Sequence, residues 1–314
     1  MNDETTRVDD RVAPKIKNAY DLFRCGKFDE AGNVLSEALA VDFDRDEIVS
    51  GLKCANFWKE RTAKLEKIHE DEKKSKYLFE QWDRFVDFVD RLKKVYEGGI
   101  YPIKQWVFGT ALVHLKRQLE QRGKHDVELL VDIGRAHKGM GDYAHAAEFF
   151  EAANRQSTED PAILAELADS YALINEVRAA KIFFREALFL GPEKIDLKRL
   201  ESLLICRLIA KVRDMGYESP DLERWLPVYG NLLGVLSVKR ELKPLEFGKL
   251  RQAVYQVENE YGKEGDQALV PKLINHYFWL IDHYIAAKAE RNKIEGVLAQ
   301  LKELDPIIYE KYVK

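Results

Sequence analysis

Cysteine, proline and glycine are all scarce in this chain, with 3, 9 and 18 among 314 residues. Cys25, Cys54 and Cys206 are odd in number and far apart, which excludes a disulfide framework and any paired thiol site for metal or redox chemistry. They read as buried, reduced thiols. So few prolines and glycines leave long unbroken stretches, filled by Ala, Leu, Glu and Lys, and helix is the expected state. Long apolar runs are also missing. The most apolar stretches, 203–212 and 277–287, carry Arg207, Lys211, Asp282 and His283 and fall short of the roughly 20 apolar residues a membrane-crossing helix needs. Met1-Asn2-Asp3-Glu4 is polar and acidic, unlike a signal peptide. Neither sign of charge dominates: 50 Lys and Arg face 54 Asp and Glu, a formal −4, so no positive field exists to hold phosphates. The expectation is a cytoplasmic protein with no nucleic-acid partner and no membrane insertion.

Catalytic signatures are missing too. The chain has no Gly-rich nucleotide loop, no nucleophile elbow and no paired-histidine zinc helix. His276, Trp279 and His283 share a helix face, but the two histidines lie about two turns apart, roughly 10.5 Å of rise, too far to grip one metal alone. No catalytic, cofactor-binding or metal-ligating residue is expected, no cofactor, and no enzyme activity. Trp58, Trp82, Trp106 and Trp225 fall in apolar stripes and read as core.

What is present is a repeat. Shifting Val127–Asp160 by 34 residues onto Pro161–Lys194 puts Leu130 on Leu164, Ile133 on Leu167, Gly134 on Ala168, Tyr143 on Val177, Ala146 on Ala180, Phe150 on Phe184 and Ala153 on Ala187. Large residues at i, i+3, i+4 and i+7 define the facing stripes of two antiparallel helices. The small ones let the backbones approach. Gly141 and Asn175 occupy the turns, where left-handed backbone costs those residue types least. Asp160-Pro161 supplies an N-cap followed by a first-position proline. This pattern resembles the tetratricopeptide repeat, with His137 standing where that family favours Tyr and Thr158 where it favours Pro. A further copy fits Ala19, Leu22, Gly26, Phe28, Ala31, Leu35, Ala38 and Leu39, and a degenerate one fits Ile294, Val297, Leu298, Leu301 and Leu304 within 274–307.

The expected fold is therefore all-α: antiparallel helical hairpins stacked as a tetratricopeptide-type solenoid with an atypical helical C-terminal cap. Its parts are an N-terminal hairpin (1–43), a long-helix segment (44–126), the tandem pair (127–194) and a C-terminal helical region (195–314). Helices are expected at 44–66, 70–97 and 102–122, then at 196–215, 221–238, 244–261, 267–286 and 290–304. Three long helices break the alternation of hairpins. Either one of them is really two, or the N-terminal hairpin packs separately from the central pair.

The resemblance implies a non-catalytic interaction scaffold whose concave groove, lined by first helices, takes a protein or peptide ligand. Carried over by position, that groove places Glu128, Val131, Asp132, Arg135 and Lys138 beside Ala162, Ala165, Glu166, Asp169 and Leu173. Glu166 would repel a carboxylate, which argues against a receptor for acidic chaperone tails. In the N-terminal copy Ile16, Tyr20, Phe23 and Arg24 take these places, with Tyr20 and Phe23 either exposed anchors or packed under the long helices. Self-association through the aromatic C-terminal helices, a homo-oligomer, is a further expectation. The rival readings are a regulatory repeat protein that switches a partner on binding peptide, and an enzyme with a site built from His276, Asp282 and His283.

Overall fold

The computed structural model describes residues 2–92, 96–123, 125–238 and 241–314, and among these it contains α-helices, short 3-10 turns and no strand. The chain divides into two compact units, Met1–Phe149 and Phe150–Lys314. The first holds α1 (Asn2–Arg24), α2 (Phe28–Leu39), α3 (Asp46–Glu66), α4 (Asp71–Val89), α5 (Glu97–Arg122) and α6 (Val127–Gly139). The unit boundary falls within α7 (Tyr143–Gln156). The second unit continues with α8 (Pro161–Leu173), α9 (Val177–Leu190), α10 (Leu203–Asp214), α11 (Asp221–Leu232), α12 (Pro244–Glu264), α13 (Val270–Ala286), α14 (Arg291–Leu304) and α15 (Pro306–Val313). Helices adjacent in the chain pack on one another within each unit, as expected of a helical-repeat solenoid.

In the first unit α1 and α2 form the N-terminal hairpin, turned by Gly26 at φ +74°. A Cβ at Gly26 would fall on the Trp106 indole, so the glycine meets both a left-handed backbone and a close approach. α3 packs on α2, where Gly51 leaves room for Leu35. α4 and α5 pair, and α5 packs against both α1 and α6. The three long helices are three indeed, and α5 is what intervenes between the N-terminal hairpin and the central repeat. An aromatic cluster fills the middle: Phe28 lies 5.6 Å from Phe23, 6.0 Å from Trp58 and 5.0 Å from Trp106, and Trp58 lies 5.4 Å from Phe85. Trp58 is fully buried; Trp82 and Trp106 are half-buried at its edge.

Some boundaries differ from expectation. α5 begins at Glu97, five residues before Pro102, because Gly98 and Gly99 pack beneath the Tyr20 ring instead of breaking the helix. α4 ends at Val89, and the expected helix over 93–95 lies outside the described residues. Of the cysteines, Cys54 is buried, Cys206 is half-buried and Cys25 is exposed, which corrects the reading of all three as buried.

In the second unit Asp160 caps α8 as expected, accepting from the backbone N–H groups of Ala162 (2.9 Å) and Ile163 (3.4 Å), with Pro161 at the first helical position. Asn175 turns the chain into α9 at φ +67°. Ala168, Ala180 and Ala187 are wholly buried. Helix 196–215 does not form as expected. Its first part folds into 3-10 turns, because Asp196 captures the N–H of Lys198 and the Asp169 carboxylate takes those of Glu201 (2.8 Å) and Ser202 (2.9 Å). α11 stops at Leu232, where the N–H of Leu236 folds back to the Gly230 carbonyl. Pro220 precedes α11 instead of opening it, the Ser219-Pro220 peptide is cis, and the Ser219 hydroxyl donates to Glu223. α12 runs through Gly262 and ends at Gly265. α15 was not expected, although Asp305-Pro306 repeats the capping device of Asp160-Pro161, with Asp305 accepting from Ile307 and Ile308.

α13 is the central helix of this unit: Ile274 and Phe278 are wholly buried and Tyr312 stacks on Phe278 at 4.4 Å. α14 packs beside it through Val297 and Leu301, the stripe of the degenerate repeat. Arg185 and Asp282 form a buried ion pair, with the guanidinium also donating to the Val238 carbonyl and lying 4.4 Å from the Trp279 ring. His276 is buried against Phe189 at 4.8 Å, and its Nδ1 has no hydrogen-bond partner. Burial, aided by Lys272, lowers its pKa to about 4.

Two outcomes follow from this packing. Gly26→Ala and Gly141→Ala place an alanine in the same left-handed region, at a cost of about 1–2 kcal/mol each. Only at Gly26 does the new Cβ meet a ring; at Gly141 its nearest neighbour is the Tyr101 hydroxyl at an ordinary 3.6 Å. Urea denaturation is expected to show Gly26→Ala costing the larger amount by about 1–3 kcal/mol, and equal losses would contradict the close approach.

The second outcome concerns pH. A folded-state pKa below the unfolded value means that the unfolded chain takes up the His276 proton first, so stability present above pH 6.5 is lost as pH falls towards 4. The slope is about 1.4 kcal/mol per pH unit. His276→Leu is expected to lose roughly 1.5 kcal/mol less than the parent between pH 6.5 and pH 5, read from denaturation at each pH. An unchanged pH profile would show that His276 is not held neutral.

Candidate functional site

On α1, Ile16, Ala19, Tyr20 and Phe23 follow helical spacing and share one face, and that face is turned inward. Ile16, Ala19 and Phe23 are buried, Phe23 completely. Phe23 is thus a core residue and not an exposed anchor. Tyr20 is partly buried: its hydroxyl donates to Glu47 at 2.9 Å, and burial together with the Glu47 charge raises its pKa. Arg24 is different. Its side chain is about half-exposed and bonds Asp21 (3.0 Å) and the Gln105 amide oxygen (3.0 Å). Gln105 in turn donates to the hydroxyl of Tyr101 at 3.0 Å, and Tyr101 is 49% exposed. The result is a surface chain of polar contacts from α1 to α5 ending on an open aromatic ring. Sequence reasoning placed the aromatic on α1; the structure places it on α5. A signal was available in Tyr101 beside Pro102, polar in context and outside the apolar stripe of Ile103 and Val107.

The central groove positions separate into two kinds. Glu128 is exposed, 4.0 Å from Lys76, and Arg135 lies 3.7 Å from Asp132. Lys138, Glu166 and Asp169, by contrast, are buried, at 4%, 3% and 0% exposure. Val131 and Ala165 are buried as well, while Asp132, Ala162 and Leu173 are half-buried. Asp169 holds the loop before α10 through the two backbone N–H groups at 201 and 202. The expectation of a solvent-facing groove fails at these three charged positions, because charged groups leave water only where other groups satisfy them, and a position map cannot see those partners.

The α6–α7 turn gathers a cluster that the sequence reading missed. Gly141 at φ +83° folds the chain so that the N–H of Asp142 reaches the His137 carbonyl at 2.9 Å. Asp142 Oδ2 then lies 3.0 Å from His137 Nδ1 and 2.8 Å from His145 Nδ1. His137 is buried, its ring stacked on His145 (5.3 Å) and Phe149 (5.5 Å), whereas His145 is exposed. Burial lowers the pKa of His137 although Asp142 acts against it; the bond to Asp142 raises that of exposed His145. Burial opposes ionisation of Asp142, but the bonds from His145 and His137 outweigh it and hold the carboxyl below its ordinary range. The departure from Tyr at His137, with Asp five and His eight residues on across a glycine turn, was the available signal.

On α13 the residues of the enzyme reading have separate partners. Asp282 binds Arg185, the Nδ1 of His283 accepts from the Leu242 N–H at 3.1 Å, and His276 lies on Phe189. His283 stacks on Phe247 at 4.3 Å. One cavity beside the helix is lined by Arg185, Trp279 and Asp282; another, of about 210 Å³, by Phe189, Lys272 and Asn275. Neither joins the two histidines.

No helix among the described residues is long and apolar enough to cross a membrane. No curated protein matches the chain. The tetratricopeptide repeat family matches residues 127–157, the span of α6, the Gly141 turn and α7. That match shows that the chain carries a tetratricopeptide repeat over α6 and α7.

Proposed function

We propose that the protein is a non-catalytic interaction adaptor of the cytoplasm that docks a peptide segment of a partner on the α1–α5 surface of its first unit. Two observations support the reading: a repeat of a kind that generally mediates protein contacts, and the open Tyr101 ring anchored through Gln105 to Arg24. An aromatic side chain carries large contact area at low entropic cost, and Tyr and Arg are over-represented among the residues that dominate binding energy. Holding Tyr101 in place through Gln105 reduces the ordering cost of docking. In the first unit the exposed Glu128 and the half-buried Arg135 are candidate contacts, and in the second, separately, the half-buried Leu173. Self-association belongs to the same proposal: Leu203, Leu245, Tyr255 and Ile307 in the second unit are each more than 65% exposed.

The test is selection of peptides from a displayed library against the full chain, followed by affinity measurement on the enriched sequences. Tyr101→Ala and Arg24→Ala are each expected to weaken binding about tenfold or more, a loss of at least roughly 1.4 kcal/mol, while leaving the melting temperature within a few degrees. Failure to enrich any sequence, or enriched peptides that ignore both substitutions, would overturn the assignment of this surface. Light scattering of the purified chain reads the oligomer: a dimer or higher mass supports self-association and a strict monomer removes it.

A further inference from the structure

We propose that His137, Asp142 and His145 form a binding site for a borderline divalent cation, of which zinc is the type. One donor atom from each residue falls within a set whose members all lie within 4.8 Å of one another. A tetrahedral zinc with nitrogen and oxygen ligands at about 2.0–2.1 Å holds its donors roughly 3.3 Å apart. Asp142 Oδ2 is already at 3.0 and 2.8 Å from the two Nδ1 atoms, so two edges of the ligand triangle are near that length. Only the imidazoles need to close on each other. The exposed His145 makes that adjustment at little cost, while buried His137 is fixed between the rings of His145 and Phe149.

The donor set selects the ion. Two imidazoles and one carboxylate suit zinc, cobalt, nickel or copper, whereas magnesium and calcium favour sites made of oxygen alone. The electrostatics agree. Neutral imidazoles and an ionised Asp142 give one net negative charge, and the next groups that act on the cluster, Lys116 and Glu148, have opposite signs. The negative end of α6 and the positive end of α7 meet at the turn and offset each other. Without the ion, the Nδ1–H groups donate to Asp142. With it, each ring carries its proton on Nε2 and offers the Nδ1 lone pair to the metal; a ring protonated on both nitrogens releases one proton to solvent. Three protein ligands leave the fourth position to water or to a side chain of a bound partner. The ion would pin the C-terminal end of α6 to the first turn of α7, within the very stretch that matches the repeat family.

The experiment is zinc titration of the full chain against a competing chromophoric chelator, with cobalt absorption as a check on coordination. One zinc per chain is expected, with a rise in melting temperature and cobalt bands typical of a low-coordinate nitrogen and oxygen site. His145→Ala removes an exposed ligand and is expected to leave the metal-free melting temperature unchanged, weaken zinc at least tenfold and abolish the zinc-dependent rise. Asp142→Asn, which keeps the shape but loses the charge and one acceptor oxygen, is expected to weaken zinc by a similar factor. Absence of stoichiometric zinc binding would overturn the proposal, and so would zinc bound as tightly by His145→Ala as by the parent, which would place the ion elsewhere.

Discussion

Neighbouring elements pack tightly where a glycine or alanine leaves room for a large side chain of the element alongside, and this chain places small residues at such contacts. Gly26 admits the Trp106 indole, Gly139 the Phe108 ring and Gly230 the Leu236 side chain. Ala19, Ala31 and Ala38 are wholly buried in the first unit, and Ala168, Ala180 and Ala187 in the second. The space at each of the three glycines is filled by a large neighbouring side chain, so interior density is maintained. The turns, the aromatic clusters and the exposed faces take their positions from these contacts.

Polar burial is the second feature of the architecture. Asp169 is fully buried yet accepts two backbone N–H groups, so its desolvation is compensated and the loop before α10 is held. Arg185 and Asp282 are likewise withdrawn from water, with the guanidinium satisfied by a carboxylate, a carbonyl and an indole face. Such pairs add little net stability against an apolar core of equal volume but penalise any arrangement that separates them. The α6–α7 turn works in the same manner on a smaller scale. A left-handed glycine brings a buried histidine, a carboxylate and an exposed histidine together because the repeat's own hairpin geometry demands a tight reversal there.

Much of the fold was legible because helical hairpins are local. The 34-residue self-similarity, Asp160-Pro161, Gly141 and Asn175 each declare a helix end or a turn through their own chemistry, and the structure follows them. What was not legible depends on partners distant in sequence. Gly98 and Gly99 look like a break and turn out to be the bed of the Tyr20 ring. The chain before α10 looks helical, but Asp169 draws its backbone N–H groups away. Lys138 and Glu166 look like surface charges and are buried. Phe23 follows the pattern of a groove position, but packing across α1, α2 and α5 makes it core, and the open ring is Tyr101 instead. In each case the residue type was read correctly and its neighbour was not, since one sequence carries no record of which helix will lie against it.

Thermal unfolding of Ala168→Leu beside Ala299→Leu tests the packing claim most directly. Both alanines lie on helices of the second unit, the first wholly buried and the second exposed on α14. If small residues at such contacts govern the structure, Ala168→Leu loses about 1–3 kcal/mol or more from overpacking while Ala299→Leu stays within roughly 0.5 kcal/mol of the parent. A buried leucine tolerated as readily as the exposed one would contradict the account.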